Sequence, residues 1–178
     1  MMHCIWRLLL RKKSIANLSA LALVAAVGCD KDKKTQYGLL NELREYRTLI
    51  NPIIDEVSAI EREVRDRAVD KLDSALAEEL DEVYREVRPE LLEVLVELDR
   101  IEPPPGLYSL HTDIRRLILL RLDAYAFVIK GVATGNEVLY EAAEQKLRAA
   151  NELIPHVNER LCDVDIALGD LEDCRLVA

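Results

Sequence analysis

The amino-acid sequence predicts an all-α fold, an up-down-up-down antiparallel four-helix bundle with proline-kinked helices. Three observations carry this. Leu, Ala, Glu and Arg dominate the composition, which favours long helices. Beyond residue 38, apolar residues recur at alternating spacings of three and four, the period of helices packed side by side. The clear breaks, "EPPPG" and "TGN", leave segments of similar length, as such a bundle needs.

The first helix carries the seam Leu39, Leu43, Tyr46, Ile50, Ile53, Val57, Ile60 and Val64. The pattern fails at Arg67 and Lys71, within "RDRAVDKLDS", and a new stripe runs from Leu76 through Leu80, Val83, Val87, Leu91, Val94 and Leu98 to Ile101. Loss of phase across a charged stretch marks a turn near residues 70–75. One continuous helix over 64–80 is the alternative, and the balance of helix lengths favours the turn. "EPPPG" ends the second helix, because consecutive prolines cannot continue it. Ser109 is the expected N-cap of the third helix, with Asp113 near its positive end. That helix is apolar on a wide face (Leu110, Ile114, Leu117, Ile118, Leu122, Tyr125, Val128, Ile129) and is expected to end near Val132. Thr134, Gly135 and Asn136 form the next turn, with Asn136 as N-cap. The fourth helix has the seam Tyr140, Ala143, Leu147, Ala150, Ile154, Val157, Leu161, Val164 and Leu168. Pro52, Pro89 and Pro155 fall inside helices, where each removes one hydrogen bond. The seams run in phase through Pro52 and Pro155, so kinks are expected there rather than breaks.

The net charge is −9, and removing the first 28 residues leaves 20 basic and 33 acidic residues, a net of −13. Nucleic acid is thereby disfavoured as a partner, since phosphate neutralisation needs a basic face. The charged runs "EREVRDR" and "EELDEVYREVR" place opposite charges three and four apart and read as solvated helix faces.

The N-terminus has a different character. Residues 1–13 hold Arg7, Arg11, Lys12 and Lys13, and residues 15–27 are apolar except for Asn17 and Ser19. Thirteen residues make a helix of about 20 Å, short for a bilayer span. A basic head, a short apolar middle and small residues at its end describe a signal-peptide helix. Its last residues, Ala26-Val27-Gly28-Cys29, resemble the lipobox of bacterial lipoproteins, with Ala26 where that family usually has Leu. The resemblance implies lipidation of Cys29, cleavage before it and acylation of the new N-terminus (palmitate is the usual label). It also implies a place in the cell envelope, lipid-anchored on the periplasmic face of a membrane. Asp30 matches the residue that marks inner-membrane retention in enterobacterial lipoproteins. The expected organisation is a signal peptide over 1–28, a lipidated Cys and polar tether over 29–36, and a helical bundle over 37–178. The stretch "PPPGLYSLHTDIRRL", a Tyr-containing apolar helix and the "TGN" turn, within residues 103–140, are similar in layout to small helical envelope lipoproteins of bacteria, and imply no activity.

With Cys4 in the signal and Cys29 lipidated, Cys162 and Cys174 remain, an even pair for an oxidising compartment. If the helix runs to Leu168, Gly169 can cap it and let the tail return Cys174 toward Cys162. A disulfide and two separate thiols both stay open. No pairing of Glu-x-x-His, CxxCH, HExxH, Gly-rich phosphate loop or GxSxG is present, so neither a metal, nor a cofactor, nor an enzyme is expected. Arg121 lies on the apolar side of the third helix, His111 begins that helix, and Asn151 and His156 flank Pro155. These four can form a polar pocket for a small ligand. They can equally be a paired arginine, a helix-end histidine and residues beside the seam. The sequence reading is a non-catalytic, membrane-anchored module for an envelope protein partner or a structural role, with a homo-oligomer also open and a small-ligand-binding bundle as the alternative.

Overall fold

A computed structural model describes residues 33–69 and 76–169. The signal segment, Cys29, Asp30, the expected turn near 70–75 and Cys174 lie outside the described residues. Within them are four helices, α1 (Lys33–Val69), α2 (Leu76–Leu98), α3 (Tyr108–Thr134) and α4 (Glu137–Leu168), with a 3-10 turn at Pro105–Leu107 and, among the described residues, no strand. The helices pack against one another as a helical bundle.

α1 begins at Lys33, inside the stretch 29–36 expected as a tether. Its seam is buried at Tyr46, Ile50, Ile53, Val57 and Ile60, and half-buried at Leu39, Leu43 and Val64. α1 and α2 lie side by side, and Arg67 donates to Glu86 across them. Nineteen residues of one straight helix would hold these two ~28 Å apart at ~1.5 Å per residue. Lys33–Val69 and Leu76–Leu98 are therefore two helices lying side by side, not parts of one straight helix.

α2 buries Val83, Val87, Leu91, Val94 and Leu98 and stops at Leu98, three residues short of the expected Ile101. The residue before a proline is pushed out of helical backbone, and Glu102 precedes Pro103. The seam of α2 takes two successive steps of four, Val83 to Val87 to Leu91, across the turn that holds Pro89. The three helices with internal prolines run unbroken through Pro52, Pro89 and Pro155. All three are exposed. On the solvent side, water can take the carbonyl that a proline leaves without an amide partner.

Ser109 is not the N-cap of α3. The 3-10 turn, closed by Leu107 N–H donating to the Pro104 carbonyl at 2.8 Å, feeds directly into the helix, and Leu107 holds the cap position with no side-chain cap bond. Because the helix is already under way at Tyr108, the amides that a Ser109 side chain would have capped lie within α3. α3 ends as the turn residues require, two residues beyond the expected Val132. Gly135 adopts the left-handed backbone (φ 62°), which glycine enters without a Cβ penalty, and its N–H reaches the Gly131 carbonyl. Asn136 then caps α4, its side chain accepting from Val138 N–H at 3.1 Å. Gly169 (φ 86°) caps the far end of α4 in the same left-handed conformation.

Gly131 explains how closely α3 and α4 approach. A Cβ at this buried position would stand 2.9 Å from Cε1 of Tyr140, so the glycine leaves room for that ring. Replacing Asn136 with Ala should lower the unfolding free energy by about 1 kcal/mol, and Asn136→Ser by only a few tenths, measured by urea denaturation. An unchanged midpoint for Asn136→Ala would mean that the cap contributes nothing.

Candidate functional site

Among the described residues, four of the six buried polar side chains (Arg47, Glu61, His111 and Asp165) share one register position, and Ser58 and Arg121 lie outside it. In α1 from Tyr46 on, and in α3, the residue immediately after every second seam position is buried, and in α4 from Ala150 on the last of the three such residues is. In α1 these are Arg47, Ile54 and Glu61; in α3, His111, Ile118 and Tyr125; in α4, Asn151, Asn158 and Asp165. All of them in α1 and α3, and Asp165 in α4, are buried. A helix with neighbours on two sides buries a stripe wider than a two-position seam, which brings this row inside.

At one end of the row, Arg47 forms a fork with Asp165, Nε to Oδ1 at 2.5 Å and Nη2 to Oδ2 at 2.8 Å. Both side chains are less than a tenth exposed. At the other end, Tyr125 donates its hydroxyl proton to Glu61 Oε1 at 3.0 Å, and Arg121 Nη2 stands 2.9 Å from Glu61 Oε2. The same Nη2 donates to Asn151 Oδ1 at 2.7 Å. Tyr84 of α2 stacks on Tyr125, centroids 4.1 Å apart and planes within 12°. All four helices therefore meet at Glu61.

Burial raises the Glu61 carboxyl above its ordinary range, opposed by the Arg121 charge and the Tyr125 hydrogen bond. Burial, then the Glu61 charge, also raises Tyr125, and the same two causes push Tyr84 up to about 12. Both tyrosines therefore stay neutral, and Tyr125 keeps the proton that it donates.

The four residues read as a pocket do not converge. Arg121 and Asn151 meet, and the Arg121 guanidinium is engaged by Glu61. His111 lies ten residues before Arg121 on the same helix, ~15 Å along its axis. There its Nδ1 is 3.3 Å from the Tyr46 hydroxyl, and burial lowers its pKa. His156 is exposed and lies 3.6 Å from Asp113, which also pairs with Arg160 at 3.5 Å. Asp113, expected to act on the α3 dipole, thus reaches α4 as well. Arg47, Glu61 and Asp165 were missed by seam counting. Glu61 falls in "EREVRDR", expected as a solvated face, but is only 7% exposed because it occupies the inward row. The available signal was spacing: Arg47 and Glu61 are two heptads apart, as are Asn151 and Asp165.

Among the described residues, no group of three His, Cys, Asp or Glu could hold a metal ion, and no helix is long and apolar enough to cross a membrane. Cys162 is disulfide-bonded, and its partner lies outside the described residues. The arrangement matches opposite charges inside the bundle. No protein-family model, curated protein or solved structure matches this chain.

Arg121→Met leaves Glu61 buried without its cation and should cost ~3–5 kcal/mol in chemical denaturation. Adding Glu61→Gln should recover part of that loss; no recovery would show that the two residues are not coupled. Glu61 also sets a pH dependence. Above the ordinary carboxyl value of 4.5 the folded chain holds its proton more tightly than the unfolded chain. Its contribution is fully present below 4.5 and is lost as pH rises through the raised value. Stability of the native chain relative to Glu61→Gln should accordingly fall as pH rises above 4.5, read from paired denaturation curves; a constant difference would show that the carboxyl is not shifted. His111 has the opposite sign: its contribution is present above the ordinary histidine value of 6.5 and is lost on acidification through the depressed folded value. His111→Gln should flatten the stability profile just below pH 6.5, and a profile of undiminished slope would assign it to other groups.

Proposed function

We propose that the chain is a non-catalytic envelope lipoprotein, anchored through Cys29, whose body is an up-down-up-down antiparallel bundle acting as a protein-interaction or structural module. The observation that carries the reading is the N-terminal pattern, a basic head, thirteen near-uniformly apolar residues and Ala26-Val27-Gly28-Cys29. The start of α1 adds to it. Lys33 follows Cys29 by four residues, at most ~14 Å of extended chain, so this anchor would hold the bundle against the membrane surface. The topology is supported by pairs whose numbers run in opposite senses, Arg47 with Asp165 and Glu61 with the Arg121–Asn151 pair, and by Asp113 with Arg160 and Asp123 with Lys146 between α3 and α4. Joining Cys162 to Cys174 accounts for the Cys162 disulfide and suits an oxidising compartment.

Cells expressing the full chain and fed radioactive palmitate should yield a labelled protein, and Cys29→Ser should lose the label and leave the membrane fraction. Label retained in Cys29→Ser, or absent from the native chain, would overturn the anchor. Pull-down with the intact chain should recover an envelope partner that Cys29→Ser recovers poorly.

A further inference from the structure

One histidine is held inside the end of the bundle where α3 begins. His111 is 8% exposed, and its Nδ1 stands 3.3 Å from the hydroxyl of Tyr46, which is 2% exposed. The two rings are tilted, with centroids 6.1 Å apart. Burial holds the Tyr46 pKa above its ordinary value, so the hydroxyl keeps a proton that needs an acceptor. Nδ1 takes that proton, which assigns neutral His111 the tautomer protonated on Nε2. Among the described residues, the charges around this pair are already matched. On α3, Arg115 lies one turn beyond His111 and forks to Asp99, which follows α2, at 2.7 and 3.2 Å. On α1, Arg47, next to Tyr46, is tied to Asp165. On α4, Arg160, whose charge reaches Tyr46, stands 3.5 Å from Asp113. Of these three acids Asp99 is the one at the surface, 42% exposed. An exposed ion pair contributes little, so Asp99 can change partner at small cost.

We propose that His111 is a two-position proton switch, inside on Tyr46 when neutral and outside on Asp99 when charged. Protonation puts a hydrogen on both ring nitrogens, so the bond can no longer run from the Tyr46 hydroxyl to Nδ1. The added charge would also sit in a dry site beside Arg115, with Arg47 and Arg160 behind Tyr46. A buried donor without an acceptor costs more than an exposed ion pair contributes. The protonated ring therefore turns outward and shares Asp99 with Arg115. Tyr46 loses its buried partner and turns its hydroxyl toward the groove that it lines with Glu102 and the prolines 103–105. The contact of α1 with the first turn of α3 is released, and acidification loosens this end of the bundle. The Glu61 cluster, further along α1, keeps its contacts. Burial lowers the His111 pKa, Asp99 opposes this and Arg115 adds to it, so the switch operates below pH 6.5.

The test uses the full chain in neutral detergent, its histidine rings isotope-labelled for nitrogen NMR, with thermal melts to establish that each variant is folded. Near neutral pH the His111 ring should show the Nε2–H tautomer, and it should titrate with a midpoint below 6.5. As pH falls through that midpoint, α1 amides around Tyr46 should exchange with deuterium several-fold faster relative to α1 amides around Glu61. His111→Gln should abolish that change. Asp99→Asn removes the acceptor of the charged ring and should lower the midpoint by on the order of a few tenths of a pH unit. Tyr46→Phe removes the donor to the neutral ring and should raise it. An Nδ1–H tautomer, a midpoint unmoved by Asp99→Asn, or a titration that leaves α1 exchange unchanged would overturn the proposal. If His111→Gln does not fold, the two midpoint shifts and the exchange profile of the native chain decide it.

Discussion

A carboxylate inside an apolar bundle is tolerable only while its partners remain in place. Glu61 receives an ionic contact from Arg121 and a hydroxyl proton from Tyr125, while Asn151 takes a hydrogen bond from that arginine and Tyr84 closes the tyrosine's face. These groups come from four helices. Leaving any one behind exposes the others to the cost of a buried polar group without a partner, which exceeds what a typical hydrogen bond contributes. Apolar seams alone would permit helices to slide by a heptad, because leucine on leucine packs nearly as well one step along. Charges two heptads apart do not permit it. The Arg47–Asp165 fork repeats the constraint at the other end of α1, so both the position and the tilt of α1 against α4 are specified.

This division of labour accounts for what was legible in the sequence. The seams were, because a three-four alternation reports burial directly, and Ile50, Leu91, Leu110 and Leu161 all lie at or near zero exposure. Gly135, Asn136 and Gly169 were, because left-handed backbone and side-chain capping each demand a short list of residues. Glu61, Arg47 and Asp165 were not. Local charge spacing cannot distinguish an acid facing water from one facing an arginine on a distant helix. Arg121 stood out only because it interrupts a seam, and its partner Glu61 could not be identified without the packing. Ser109 misled for a related reason: the capping rule assumes an extended residue before the helix, and the Pro105–Leu107 turn removed that need.

The same geometry separates two kinds of polar residue. Those buried in the inward row are committed to one another, whereas Glu42, Glu45 and Glu102 form no ion pair among the described residues. Interior charges specify which structure forms. Surface charges set what the finished structure attracts.

Inward pairing also has a consequence for the order in which the molecule is completed. Arg47 and Asp165 are separated by 118 residues, and Glu61 and Tyr125 by 64. During synthesis from the N-terminus, α1 and α2 emerge carrying charges whose counterparts do not yet exist. That first half cannot close a dry interface around Arg47 or Glu61 and stays open to solvent. The α3–α4 hairpin, joined by only Gly135 and Asn136, has its contacts close in sequence and can assemble quickly once made. The C-terminal half thus serves as the template on which the older half closes, and a chain truncated before Asp165 keeps an arginine that nothing neutralises.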